Sequence, residues 1–345
     1  LLGKRPVIYS SIDELAGASN HVDAVIVTTS PDLLAPVGMA AFELGLHVMV
    51  EKPIALTVQQ GVSLIEAATR ANRTLAVAEN YRRDPINRLA RAMLDAGVLG
   101  PIHLFVQASS GSGEKIIITP WRHQKRSGGI VVDMGIHYAD LLEYFVGPIR
   151  QVFGFNSIVD RQRVDDRGTW HDVDAEDLSV GVAQFENGAI GNWLINLAGR
   201  GDTFFSRTAY GTGGSLAIPH DRSGRSIGLS LRQNGRDVRV EPEDQLELVP
   251  EFRLDDVTAR LFGGHRLDSY HLDYPDIDAN LLAIEQADFA AAIVEGHAPE
   301  VDGPTGLRSL AISYGFLEAE RLGRAMRVDD LITNFDTPYQ RELST

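Results

Sequence analysis

Cysteine is absent from all 345 residues, so disulfides, iron–sulfur clusters, thiol nucleophiles and cysteine zinc sites are excluded together. Any chemistry must come from oxygen, nitrogen or a borrowed cofactor. Positive charge is scarce: 32 Lys and Arg stand against 47 Asp and Glu, a formal net charge of −15. Such a surface repels phosphate backbones and anionic bilayers, which argues against nucleic acid or membrane as a partner. No apolar run approaches the ~20 residues of a membrane-spanning helix, and no basic stretch leads into an apolar one at the start. These absences predict a cytoplasmic protein. A glycine-rich dinucleotide loop is missing as well. Gly111-Ser-Gly113 has Ile116 where the third glycine belongs, and Gly211-Thr-Gly213 has Leu216.

What is present is an ordinary globular composition, 44% hydrophobic and 23% charged, which excludes a disordered or collagen-like chain. The length favours two domains. Asp23 to Thr29 and His47 to Val50 are apolar, β-branched runs of the kind buried on both faces of a sheet. Helical patterns separate them, one over 36–45 and one to about Ala71, opened by a Thr57/Gln60 capping box. Leu75-Ala-Val-Ala78 closes a parallel α/β series, joined by right-handed crossovers and covered on both faces. Asp84-Pro85 then starts a helix that stops at Gly97.

Beyond Pro101 the pattern changes to alternating strands with turn signals at Asn187-Gly188, Asn234-Gly235 and Gly213-Gly214. This divides the chain into a parallel α/β domain over 1–100 and an α+β domain over 101–325 with an open, mostly antiparallel sheet. Leu178, Val180 and Val182 form an apolar face, and Ser179, Gly181 and Ala183 a small, smooth one. The smooth face is expected to meet another subunit, giving a homodimer or homotetramer. A helix over 130–145, ending at Gly147, places Tyr138, Leu142 and Phe145 on one stripe and Asp133, His137 and Tyr144 on another. Helices are expected again over 284–295 and 306–323, packed back on the first domain.

Several residues carry chemistry. Glu51-Lys52-Pro53 follows a strand at the carboxyl edge where open α/β sheets bind ligands. Lys52 there can exchange a proton with a hydroxyl or carbonyl, or it can be a solvated loop lysine. Asp133 and His137, four apart on one helix face, suit proton relay and the gripping of a hydroxyl. No third ligand at suitable spacing supports a metal pair. A capping or surface role for the two stays open. Thr28-Thr29-Ser30 ends a strand and can contact a cofactor or simply start a helix at Pro31. Trp121-Arg122 offers a stacking face and a cationic clamp, or a packed tryptophan beside a loop cation. Trp193, Asn196 and Arg207 are weaker candidates for polyol contact.

Taken together, Glu51-Lys-Pro53, Asn80-Tyr-Arg-Arg-Asp-Pro85, Trp121-Arg122, Gly128 through His137 and Val301-Asp-Gly-Pro-Thr-Gly306-Leu resemble the Gfo/Idh/MocA family. That family includes glucose–fructose oxidoreductase and inositol 2-dehydrogenase. The resemblance implies a Rossmann domain, an open-sheet domain and NAD or NADP between them. It also implies hydride transfer on a secondary hydroxyl of a sugar, glycoside or cyclitol. By position, Lys52 matches the catalytic lysine, His137 the proton-transfer histidine and Asp133 the carboxylate that orients the reacting hydroxyl. Thr28, Ser30, Glu51, Lys52 and Asn80 match positions that line the cofactor, and Trp121 with Arg122 a segment near nicotinamide and substrate.

The family's opening strand, glycine-rich loop, helix and second strand have no counterpart before Pro6-Val-Ile-Tyr9. With Leu1 in place of Met, a truncated gene or fragment is expected. Two rival functions stand beside the dehydrogenase: a redox-neutral, NAD-dependent cleavage of glycosides on the same fold, and a non-enzymatic dehydrogenase-like binding protein.

Overall fold

A computed structural model describes residues 5–17 and 22–343, so Leu1 lies outside the described residues. After a short helix α1 (Ile12–Ala16), the chain builds a parallel three-stranded sheet of β1 (Ala24–Val27), β2 (His47–Glu51) and β3 (Leu75–Ala78), in that order. Helices α2 (Pro31–Glu43) and α3 (Val58–Ala71) connect the strands. Strands β2 and β3 read as unbroken apolar runs because both their faces are buried. Val48, Val50 and Val77 pack into the main core with Leu34 and Leu64 of α2 and α3. On the other face Met49, Ala76 and Ala78 pack with Phe289 of α8 (Tyr274–Glu295).

The two edges differ. At β3 the Val77 N–H donates to Val301 at 2.9 Å, and Ala76 bridges to Asp302. At β1, Ile26 is 44% exposed.

Three expected helices begin earlier than their apolar periodicity indicates, the one expected over 306–323 by three residues, at Gly303. Helix α2 starts at Pro31 and carries Pro36 inside it, and α8 starts at Tyr274 rather than 284. In both, a proline in the first turn marks the true start. The Thr57 cap forms, with its Oγ1 accepting from the Gln60 N–H at 3.3 Å. The reciprocal half of the capping box does not, because Gln60 Oε1 is buried without a partner.

Helix α4 (Pro85–Asp95), capped by Asp84, leads to the large sheet. Its strands come in chain order as β4 (Ile102–Ser112), β5 (Ile149–Ser157), β8 (Leu178–Phe185), β9 (Ile190–Gly199), β10 (Phe204–Gly211), β11 (Gly214–Ala217), β12 (Gly228–Gln233), β13 (Arg236–Val240) and β14 (Met326–Arg327). They are ordered β13-β12-β11-β10-β4-β9-β8-β5-β14, and only the β4–β9 pair is parallel. Strands β6 (Gln162–Val164) and β7 (Trp170–Asp172) form a separate hairpin. Short helices α6 (Pro242–Gln245), α7 (Asp256–Phe262), α10 (Val328–Thr333) and α11 (Pro338–Leu343) fill the periphery. No described helix is long and apolar enough to cross a membrane.

One face of the large sheet is covered by α5 (Ile130–Val146) and α9 (Gly303–Leu322). Trp193 of β9 is fully buried there, stacked on Phe316 of α9 at 4.4 Å, with its indole N–H donating to Ser179. This assigns Trp193 to the core. Gly135 of α5 lies against the same indole.

The smooth face of β8 is therefore turned inward, contrary to its expected role in meeting another subunit. At Gly181 a Cβ would come within 2.6 Å of Phe316 Cδ1 and 2.5 Å of the Phe153 carbonyl. Small side chains on this face let the bulky helix α9 sit close to the sheet. It is the apolar face that meets solvent, where Val182 is 52% and Phe155 65% exposed. Gly181→Ala is expected to destabilise the protein by about 1–3 kcal/mol through overpacking. Urea unfolding measures this, and a change below about 0.5 kcal/mol, the scale of a neutral surface substitution, would contradict it.

Candidate functional site

The carboxyl ends of β1, β2 and β3 open into a cavity of about 680 Å³ between the parallel sheet and α5. Nine of the residues expected from the sequence line it: Thr28, Ser30, Glu51, Lys52 and Asn80 from the strand ends, Trp121 and Arg122 from a 3-10 turn, and Asp133 and His137 from α5. Trp193 is in the core, and Asn196 is tied to Ser110 at 3.0 Å within the sheet. Arg207 is fully buried, with its guanidinium donating twice to Asp221 at 2.6 and 2.8 Å. These three are structural and do not reach the cavity.

At its centre, Lys52 Nζ donates to the Asp133 carboxylate at 3.0 Å and to the Asp133 carbonyl at 2.8 Å. The Lys52–Pro53 bond is cis. Arg122 donates to the same carboxylate oxygen and lies over the Trp121 ring at 4.7 Å. Burial raises the pKa of Asp133, but Lys52 and Arg122 outweigh it and hold the carboxyl below its ordinary value. Asp133 is therefore a carboxylate at neutral pH. The other oxygen, Asp133 Oδ2, is buried and has no hydrogen-bond partner among the described residues. It is an acceptor held ready in the cavity wall.

His137 sits one turn further along α5. Its Nδ1 is 2.8 Å from both oxygens of Glu79, and its ring stacks on Tyr81 at 3.9 Å, only 5° from parallel. Burial and the Lys52 charge lower its pKa well below the ordinary imidazole value, so His137 is neutral at pH 7. Burial pushes Glu79 up to about 7, against the hydrogen bond from the Tyr81 N–H and the Lys52 and Arg82 charges. Burial likewise raises Glu51, whose carboxylate accepts from the Lys52 N–H at 3.0 Å.

Sequence reasoning missed Glu79, although it ends β3 at the same edge where Glu51 ends β2. It also missed Arg222 and Tyr274, which close the far wall of the cavity. Arg222 has φ +60 in a loop, lies 5.0 Å over the Tyr81 ring and donates to Tyr274 Oη at 2.9 Å. Nothing in the sequence pairs these three. The Asn80-to-Pro85 motif divides its labour: Asn80 and Tyr81 face the cavity, Arg82 pairs with Asp140, Arg83 with Asp288 and Glu300, and Asp84 caps α4.

Residues 5–79 match the family described as an oxidoreductase family with an NAD-binding Rossmann fold, and residues 87–217 match the GFO/IDH/MocA C-terminal domain. The chain belongs to the Gfo/Idh/MocA oxidoreductase family. Among its relatives is levoglucosan dehydrogenase of Pseudarthrobacter phenanthrenivorans, 29% identical over 220 residues, 58% of this chain and 56% of the relative. The chain thus aligns with little more than half of that protein. It is 25% identical over 331 residues to 1,5-anhydro-D-fructose reductase of Ensifer adhaerens, covering 93% of this chain and 84% of the relative. A solved levoglucosan dehydrogenase in complex with NADH and levoglucosan shares the fold, with a TM-score of 0.73 at 22% identity over 93% of this chain and 83% of that one.

An NAD-type cofactor fits what is present at this cavity of the Gfo/Idh/MocA chain. Asn80 Oδ1 is buried without a partner, an acceptor suited to an amide N–H, and Ser30 caps α2 without using its hydroxyl.

Electrostatics beside the cavity yield one stability prediction. Glu285 of α8 is buried, its Oε1 is unpartnered, and burial pushes its carboxyl up to about 9 against the pull of Arg83. Between its ordinary value of 4.5 and about 9, the folded chain keeps a proton that the unfolded chain releases, so stability falls as pH rises. Glu285→Gln removes this slope. The stability gap between variant and parent should widen in the variant's favour by about 1.4 kcal/mol per pH unit from pH ~6 to ~8. Urea denaturation at the two pH values reads it, and parallel curves would contradict it.

Proposed function

We propose that the chain oxidises or forms a secondary hydroxyl of a sugar, glycoside or cyclitol, with NAD or NADP as the partner in hydride transfer. The observation that carries this reading is the convergence of Lys52, Asp133 and His137 in one cavity at the carboxyl edge of a parallel sheet. Thr28, Ser30, Glu51 and Asn80 would hold the cofactor there, with Trp121 and Arg122 beside its reacting end. When bound, the cofactor supplies the acceptor or donor of hydride.

The chain's own residues handle the oxygen and its proton. Lys52 already donates to Asp133 twice, which aims the remaining N–H of its ammonium at a substrate oxygen and favours developing negative charge there. Neutral His137 takes the hydroxyl proton. The work that sequence reasoning gave to Lys52 with help from His137 is thus divided between a charge and a base. Asp133 Oδ2 accepts from a neighbouring hydroxyl, so a polyol satisfies a buried acceptor that a simple alcohol leaves empty.

In this reading residues 1–100 carry the cofactor and 101–325 the substrate and the oligomer contact. The exposed apolar face of the large sheet, with Phe155, Val180, Val182 and Ile190, supports a homodimer or homotetramer. The cysteine-free sequence suits the cytoplasm.

The test is NADH or NADPH formation against a panel of sugars, glycosides and cyclitols, repeated with Lys52→Ala. Turnover should fall by about 10²–10⁴-fold while cofactor affinity changes little. Near-normal turnover in Lys52→Ala would remove Lys52 from the chemistry.

A further inference from the structure

His137 can serve as a base only if one nitrogen keeps its lone pair facing the substrate, and which nitrogen does so is set by the bond the other makes. A carboxylate four residues earlier, Asp133, is the obvious partner by sequence. The geometry assigns that task elsewhere. Asp133 Oδ1 is occupied by Lys52 and Arg122, and no hydrogen bond joins Asp133 to His137 among the described residues. Glu79 instead brackets Nδ1 with both oxygens at 2.8 Å.

Glu79 is itself fixed. Its Oε1 accepts from the Tyr81 N–H at 3.0 Å, and the Tyr81 ring stacks flat on the imidazole, so the acceptor and the ring plane are set by one short segment. The imidazole Nε2 has no protein partner among the described residues, and His137 lines the cavity.

We propose that Glu79 is the positioning residue for His137, holding the proton on Nδ1 so that Nε2 is the acceptor for the substrate hydroxyl. In oxidation Nε2 takes the proton of the carbinol O–H, and a bound nicotinamide would supply the acceptor for the hydride of the carbinol C–H, leaving the carbonyl. Asp133 is then free for the lysine and the neighbouring hydroxyl. The kinetic part of this inference rests on the proposed dehydrogenase reading. The tautomer itself does not.

A pH dependence follows. From α5, His137 and Asp140 face Glu79, and from the β2 edge Lys52 and Glu51. Tyr81 and Arg82 face it from its own segment, Asp221 from the loop before β12, and Glu285 from α8. Burial outweighs the cations among them and leaves Glu79 titrating at about 7. Below that pH the carboxyl is protonated and its O–H donates a hydrogen bond to Nδ1, which must then be the bare nitrogen, so the single imidazole hydrogen sits on Nε2 and the lone pair is lost from the cavity. Oxidation should therefore lose activity on the acid side.

The test is nitrogen NMR of the histidine side chains in the full chain at pH 8, with His137→Gln giving the assignment. Nδ1 should be protonated and Nε2 bare, and Glu79→Met should shift the ring toward the Nε2–H form. In Glu79→Gln, kcat for oxidation should fall by about 10–100-fold with little change in KM, and the acid limb should disappear. A native His137 in the Nε2–H form, an unchanged tautomer in Glu79→Met, or an unmoved acid limb in Glu79→Gln would each overturn the proposal. The native spectrum decides the matter even if the variants fail to fold or no panel substrate is oxidised.

Discussion

Lys52 and Asp133 are 81 residues apart in the chain, and the 3.0 Å ion pair between them joins the end of β2 to the first turn of α5. Both side chains are largely buried, and the Asp133 carboxylate holds Arg122 as well. Removing Asp133 leaves both cations without their partner, at a cost of about 3–5 kcal/mol. The pair therefore does two things at once. It fixes the distance between the parallel sheet and the helix carrying His137, and it keeps a cation and a carboxylate ready where a hydroxyl would react.

The surrounding architecture holds that joint in place. Helix α5 is buried nearly all round: Gly135 allows Trp193 to press against one side, while Asp133 and His137 look into the cavity from the other. Phe316 of α9 stacks on the same indole, and α9 also packs on α3, so a single helix braces both sheets. Helix α8 covers the second face of the parallel sheet through Phe289 and brings Tyr274 to the cavity mouth. The acid–base groups thus stand on regular elements, where packing limits their drift. Hydride transfer needs such constancy, because its rate depends steeply on the placement of the reacting atoms.

The parallel sheet was legible because strands buried on both faces leave unbroken runs such as Val48–Val50 and Leu75–Ala78. Hairpins announced themselves through Asn187-Gly188 and Asn234-Gly235, whose glycines have the positive φ these turns require. Lys52, Asp133 and His137 were visible because their spacing on a strand end and a helix face is local. Glu79 was not, since its partner lies 58 residues away and a glutamate ending a strand reads as solvated. Arg222 depends on a loop conformation with positive φ that no residue type signals. The facing of β8 was misread because small residues indicate close approach without saying to what. Here the approaching group is Phe316, inside the same chain.

If hydride passes between a secondary carbinol carbon and nicotinamide in the cavity of Lys52, Asp133 and His137, an isotope on that carbon must follow it into the cofactor. The most direct measurement supplies a sugar or cyclitol deuterated at its carbinol carbons together with unlabelled oxidised cofactor, and weighs the reduced cofactor by mass spectrometry. One deuterium in the reduced nicotinamide and a ketone in the product are expected. A product formed with no deuterium in the cofactor would contradict that transfer.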